Sequence, residues 1–229
     1  MILGDFLKAL MQLPDPRFQS VLWRGVGLTV LLLAAIYAAL VFVIKVFIGG
    51  PITLPWIGEV MWVDDLLSWG SLFLMLGLSV FLMVPVASAI SSFFLDEVAD
   101  AVETAHYPSL PPAQPPGFWE GLSDGARFFG LIVAANLLAV VAYLILPFAA
   151  LFIFYGMNGW LLGQEYFQMA AIRREGRDGA TRLRKRNAGR IWLAGCLMAV
   201  PLSVPLVNLL VPILGAATFT HLYHRVARR

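Results

Sequence analysis

The sequence predicts an all-α integral membrane protein with several membrane-embedded segments. Of its 229 residues, 60% are hydrophobic and only 13% are charged, whereas soluble domains contain about 45–50% apolar and about 25% charged residues. A soluble fold of this length leaves too much surface in water to hide so many apolar side chains. The excess is concentrated in four long apolar stretches, which a lipid bilayer shelters in place of a protein core.

Residues 1–14 predict a helix that lies at the membrane surface. Apolar residues recur there at helical spacing, with Asp5 and Lys8 between them. The segment is too short to cross a bilayer and suits the lipid interface. It lacks a basic region followed by a short apolar core and a cleavage site, so we expect no removable signal peptide.

Residues 16–48 predict the first transmembrane helix. Asp15 suits the position before a helix and Pro16 its first turn. Lys45, near the far end, is the only charged residue between positions 26 and 48. About 20 apolar residues cross a hydrocarbon core of about 30 Å, so this stretch is long enough.

Residues 66–105 predict the second transmembrane helix together with a cytoplasmic extension. Positions 66–95 contain no charged residue, and Pro85 is expected to kink the helix. The acidic residues that follow predict a solvated continuation. Residues 107–117 are rich in proline and predict a linker without helix.

The last two apolar stretches predict two helical hairpins, over residues 118–172 and 190–226. The first contains a charge-free run, divided by Pro147, that allows either two short crossings or a shallow hairpin. The second is interrupted by three prolines, at positions 201, 205 and 212.

The distribution of lysine and arginine predicts the orientation. The loop over residues 50–65 has neither residue type, whereas the N-terminal region and the C-terminal tail are basic. The positive-inside rule therefore places both termini in the cytoplasm and this loop outside. A basic block is also placed in the cytoplasm, and it comprises Arg173, Arg174, Arg177, Arg182, Arg184, Lys185, Arg186 and Arg190.

This orientation requires each of the last two stretches to leave the cytoplasmic side and return to it. Two full crossings and a turn need about 40 residues or more. The final stretch is too short, so we expect a re-entrant hairpin that dips into the membrane and comes back. Such backbone persists only where protein covers it or where it lines a wet cavity.

Five segments of the chain carry a resemblance to a known family: LPDPRFQSVLWRG, PVASAISSFFLDEVADAVETAHYP, GQEYFQMAAIRR, LRKRNAGRIWLAG and PLSVPLVNLLVPILGAATFTHLYH. They resemble the CysZ family of bacterial inner-membrane sulfate permeases, which supply sulfate for cysteine biosynthesis. The resemblance implies two long transmembrane helices and two partly penetrating helical hairpins, assembled as homo-oligomers in a bilayer. The wider family includes eukaryotic etoposide-induced membrane proteins, so a scaffold or accessory protein without transport is the alternative.

The resemblance implies that Arg17, at the start of the first long helix, helps to bind sulfate. The family often has two adjacent basic residues there, whereas Phe18 follows Arg17. Arg24 is seven residues further on and is predicted on the same helical face. A helix N-terminus and an arginine both supply donors to an anion. The alternative is that both arginines anchor the helix to lipid headgroups.

Four polar residues in apolar surroundings are candidates for the transport pathway. Glu165 follows the third apolar stretch and either couples protons or pairs with a nearby arginine such as Arg173. Asn136, Asn158 and Asn208 line a water path or form hydrogen bonds between helices. Asn208 is the best candidate for a re-entrant tip.

No catalytic motif or cofactor motif is present, so the sequence does not predict an enzyme. His221 and His224 share a helical face, but a zinc site needs a third ligand. The basic block between two apolar stretches suits anionic lipid better than nucleic acid. Gly159 and Gly163 have a spacing that favours close helix contact.

Overall fold

The computed structural model describes residues 2–48, 53–54, 58–59, 86, 94–113 and 117–228. Most of the predicted second crossing, including the Pro85 kink, lies outside these residues. Within the described residues the chain is helical, apart from a short antiparallel strand pair and the connections. The elements are α1 (Ile2–Met11), α2 (Pro16–Ile48), β1 (Thr53–Leu54), β2 (Gly58–Glu59), α3 (Leu95–His106), α4 (Phe118–Ile145), a 3₁₀ turn (Pro147–Ala149), α5 (Ala150–Arg186), α6 (Ala188–Leu202), α7 (Pro205–Asn208) and α8 (Val211–Ala227).

Helix α2 begins where the sequence predicts. The carboxylate of Asp15 accepts a hydrogen bond from the backbone N–H of Arg17 at 2.8 Å, which satisfies one of the free donors of the first turn. The segment Pro16–Ala39 is long and apolar enough to cross a membrane. Phe18 and Val21, near its start, are buried in the protein core, so this end of the helix is held by protein.

Helix α4 contains the other described segment that is long and apolar enough to cross, Ala126–Ile145. Its 20 residues extend about 30 Å at 1.5 Å per residue, which matches the hydrocarbon core. This segment lies within the first predicted hairpin, and a 3₁₀ turn at Pro147–Ala149 separates α4 from α5. By length, therefore, the outgoing arm of this hairpin reaches across a bilayer.

Helices α5 and α6 pack closely at glycines. A Cβ atom added at Gly163 would lie 2.7 Å from the carbonyl oxygen of Ile191, and one added at Gly195 would overlap the carbonyl oxygen of Gly159. The predicted close contact at Gly159 and Gly163 is therefore confirmed. Gly176 breaks the regular geometry of α5 with a φ of 65°, which a residue without a Cβ adopts at little cost.

Helix α8 is the centre of the core. Every residue from Val211 to His224 is buried, and α8 contacts α1, α3, α5 and α6. Helix α6 has 15 residues and α8 has 17, which correspond to about 22 and 25 Å. Both lengths are below the thickness of about 30 Å that a full crossing needs.

Helix α3 differs from its prediction as a solvated extension. It is helical, but Val98, Ala99 and Val102 are fully buried because one face of the helix packs against α8. The acidic residues occupy the positions between these apolar ones. Helix α3 is therefore amphipathic, and its charged groups lie beside other helices.

Candidate functional site

Charged side chains from four helices meet around α3 and form the main polar site among the described residues. We call this group the charged cluster. Its acids come from α3 and its bases from α2, α5 and α8, which brings together segments that are far apart in the chain. The cluster consists of Arg24, Asp96, Glu97, Asp100, Glu103, Arg173, Arg174 and His224.

Glu103 is the buried centre of the charged cluster. Its carboxylate accepts hydrogen bonds from Arg174 Nη2 at 2.6 Å and from His224 Nε2 at 2.8 Å. Burial alone would raise the pKa of Glu103, but the hydrogen bonds from His224 and Arg174 and the charge of Arg173 outweigh it and lower the pKa to about 2. Because an ionised carboxylate only accepts, His224 Nε2 carries the proton in this contact.

Arg173 is the most deeply buried arginine of the charged cluster, with 4% of its surface exposed. It forms ion pairs with Asp96, at 3.4 Å, and with Asp100. Its Nη1 atom is buried without an acceptor among the described residues. A buried donor of this kind normally has a water or an anion as its partner.

Arg17 and Arg24 lie on one face of α2, as predicted, and both reach α3. Arg24 forms an ion pair with Glu97 at 2.7 Å. Arg17 is exposed, and its Nη1 donates to Thr104 at 3.4 Å. No described carboxylate lies within ion-pair distance of Arg17, so its positive charge is available to an anion.

A group of aromatic and imidazole rings extends the site toward the end of α8. His221 Nδ1 and the Tyr107 hydroxyl are hydrogen-bonded at 3.0 Å, and the His106 ring packs edge-on against His221 at 4.8 Å. Burial, with the positive charges of His106, Lys8 and His224, lowers the pKa of His221 to about 3. His221 is therefore neutral at physiological pH and serves as a packing and hydrogen-bonding group.

This neutral, buried imidazole predicts acid sensitivity. In the unfolded chain His221 binds a proton as the pH falls below its usual pKa of 6.5, whereas in the folded chain it binds one only near pH 3. The free energy of unfolding is therefore expected to fall by up to about 1.4 kcal/mol per pH unit over that range. Melting of the detergent-solubilised protein between pH 7.5 and 5 measures this slope. His221→Phe should reduce this slope. An unchanged slope in that variant would mean that other groups cause the acid sensitivity.

The four other predicted site residues do not join the charged cluster. The amide of Asn136 donates to Ile132 O at 2.9 Å, and that of Asn158 donates to Phe154 O at 2.8 Å, each within its own helix. Asn208 ends α7, at the turn between α6 and α8. Glu165 is half-buried on α5. Among the described residues these four groups have no shared partner.

Sequence reasoning missed the pairing between α3 and α5. The sequence offers Arg173 as a partner of Glu165, whereas in the structure Arg173 pairs with Asp96 and Asp100. A usable signal was present, because Asp96, Asp100 and Glu103 recur at helical spacing and form one face of α3. No group of three or more potential ligands is arranged to hold a metal ion in the part of the chain that the structure describes.

A known protein family matches the chain over residues 5–212. The matching family is described as Sulfate transporter CysZ/Etoposide-induced protein 2.4. It spans the cluster's elements α2, α3 and α5 and ends at the second residue of α8, before His224. No curated protein and no solved structure matches the chain.

Proposed function

Because the chain belongs to the Sulfate transporter CysZ/Etoposide-induced protein 2.4 family, which its match over residues 5–212 shows, we propose that it is a sulfate permease. The family is a family of membrane transporters rather than enzymes. The proposal is that the protein forms homo-oligomers in the bacterial inner membrane and supplies sulfate for cysteine biosynthesis. The extent of the family match is the observation that carries this proposal.

Arg17 is the proposed first contact for sulfate. Its guanidinium is exposed at the start of α2 and has no described acidic partner, and a planar guanidinium binds a tetrahedral oxyanion with paired hydrogen bonds. Arg24 is a secondary contact, because its pair with Glu97 has to open first. The proposal therefore assigns unequal importance to the two arginines.

The second hairpin is proposed to be re-entrant. The short lengths of α6 and α8 support this, since neither reaches the thickness of a full crossing. The burial of α8 supports it too, because protein covers the backbone that would otherwise face lipid. Asn208, at the turn between the two helices, is the proposed tip and a candidate to line the sulfate path, as are Asn136 and Asn158.

Glu165 is proposed as a coupling residue. It lies on α5 beside the buried Tyr166 and has no described basic partner, and a carboxylate at membrane depth is a natural proton acceptor. A dependence of sulfate uptake on an imposed pH gradient that disappears in Glu165→Gln supports this role. An unchanged dependence in the variant contradicts it.

Sulfate uptake into proteoliposomes tests the permease proposal. The wild-type protein should take up labelled sulfate faster than empty vesicles, and Arg17→Gln should need roughly tenfold to a hundredfold more sulfate, since a hydrogen bond to a charged group is worth about 1.5–3 kcal/mol. Arg24→Gln should have a smaller effect. Arg182→Gln, which removes an exposed charge of the basic block, is the matched control and should leave uptake unchanged.

A membrane scaffold without transport is the second candidate. The observation that favours it is that Phe18, which stands where the family often has a second basic residue, is buried in the core and gives an anion no contact. Uptake by the wild-type protein at the level of empty vesicles supports the scaffold and contradicts the permease. Wild-type transport that Arg17→Gln leaves intact keeps the permease but removes Arg17 from the site.

A further inference from the structure

A cavity of about 500 Å³ lies where α5 ends, α6 begins and α8 reaches its last turns. Among the described residues, its charged lining groups are two guanidinium groups, and no described acidic side chain lines it. This position is remote in sequence from the proposed sulfate contact at Arg17. The lining residues are Leu183, Arg186, Asn187, Gly189, Arg190 and Val226.

Both arginines of the cavity keep donors free. Arg190 Nη1 makes a long hydrogen bond of 3.5 Å to Asn187 Oδ1, and Arg186 has no hydrogen bond or ion pair with any described residue. Unpaired guanidinium groups on one cavity wall repel each other unless an anion lies between them. The wall is therefore complementary to a negatively charged group.

The first turn of α6 adds backbone donors to the same wall. No side chain caps this helix end. The side-chain oxygen of Asn187 accepts from Arg190 Nη1, and its amide nitrogen donates to Leu183 O at 3.0 Å. The uncapped N–H groups and the helix dipole favour an anion. Gly189 lies in this turn, and a Cβ atom added there would meet nothing within 4 Å, so the backbone is accessible from the cavity.

We propose that this cavity binds a tetrahedral oxyanion, either the phosphate of an anionic lipid headgroup or a free sulfate or phosphate ion. Two guanidinium groups and the N-terminus of a helix provide the fork-shaped and backbone donors that such an anion needs. The volume exceeds that of a bare ion and accommodates the glycerol part of a headgroup. Trp192, two residues after Arg190, is 42% exposed. Exposed tryptophans are typical of the headgroup zone of a membrane.

Gly189→Asp tests the site without removing any contact. The new carboxylate has room, and an acid in the first turn of a helix is favourable, so the fold is retained while an anion in the cavity is repelled. The double substitution of Arg186→Gln and Arg190→Gln removes the donors and is the second variant. Arg182→Gln removes an exposed arginine of the same basic block outside the cavity lining and is the control.

Two measurements on the full-length protein in detergent distinguish the sources of the anion. Equilibrium dialysis with labelled sulfate reports a free ion, and native mass spectrometry after exposure to phosphatidylglycerol vesicles reports a bound headgroup. Both site variants are expected to weaken at least one of these by roughly tenfold, the loss expected from a charge-assisted hydrogen bond, with Arg182→Gln unchanged.

The pattern of losses identifies the ligand. Loss of lipid retention alone assigns a headgroup, and loss of sulfate binding alone assigns a free ion. If both site variants, with melting temperatures like that of the wild type, bind both probes as the wild type does, the proposal is wrong. An equal loss in Arg182→Gln also overturns it, because the attraction would then come from the basic block as a whole. Neither measurement depends on sulfate uptake.

Discussion

Replacing Glu103 with alanine is expected to lower the free energy of unfolding by about 3–5 kcal/mol, because it removes one partner of a buried ion pair. Glu103 is 7% exposed and accepts from Arg174 at 2.6 Å and His224 at 2.8 Å. Without the carboxylate, the guanidinium of Arg174, whose side chain is only 12% exposed, keeps the carbonyl of Pro111 as its one described acceptor. The Glu103 carboxylate links α3 to Arg174 on α5 and to His224 on α8. Its removal should therefore destabilise the contacts among all three helices.

Melting of the protein in detergent measures this effect, which corresponds to a shift of roughly 6–20 °C for a chain of this size. Glu97→Ala is the matched control on the same helix. Its ion pair with Arg24 has side chains that are 45% and 46% exposed, so its loss should cost no more than about 1 kcal/mol. Equal shifts in the two variants would contradict the buried role of Glu103.

The same carboxylate has a defined pH dependence. Because its pKa is lowered from 4.5 to about 2 in the folded protein, its contribution to stability is complete above pH 4.5 and is lost as the pH falls toward 2. The loss associated with His221 begins at higher pH, near 6.5. The difference in the free energy of unfolding between Glu103→Ala and the wild type is therefore expected to be largest at neutral pH. It should shrink as the pH falls below 4.5.

Local signals predicted the helix boundaries well. Asp15 and Pro16 mark the start of α2, the end of the proline-rich linker predicts the start of α4 at Phe118, and Pro147 predicts the turn into α5. Each of these features acts through the backbone of its own few residues, by capping a helix end or by preventing a helix from continuing. The whole-chain resemblance likewise predicted the family that the match over residues 5–212 shows.

The charged cluster could not be predicted in the same way. Arg173 and Arg174 meet their acids 73 and 71 residues away along the chain, and the choice of partner is decided by how α3 packs between α5 and α8. Charge counting assigned the basic block to the cytoplasm as a group. Charge counting does not distinguish the buried Arg173 from the exposed Arg182, because orientation rules count charges without regard to burial.

The contact between α5 and α6 is expected to be the most sensitive place for added volume. A Cβ atom at Gly195 would overlap the carbonyl oxygen of Gly159 and lie 2.9 Å from the backbone nitrogen of Gly163. Backbone atoms cannot move aside as a flexible side chain does, so the two helices would have to separate along their whole contact. Gly195→Ala is expected to cost about 1–3 kcal/mol, and Gly195→Leu more.

Gly130→Ala on α4 is the control for this series, because a Cβ atom there meets nothing within 4 Å. Replacing an unhindered helical glycine with alanine should stabilise the protein by about 0.5–1 kcal/mol. Melting in detergent should therefore show shifts of opposite sign for the same chemical change at the two positions. A neutral or stabilising Gly195→Ala would mean that α5 and α6 lie further apart, and the small-residue spacing at Gly159 and Gly163 would then reflect only the frequency of glycine in membrane helices.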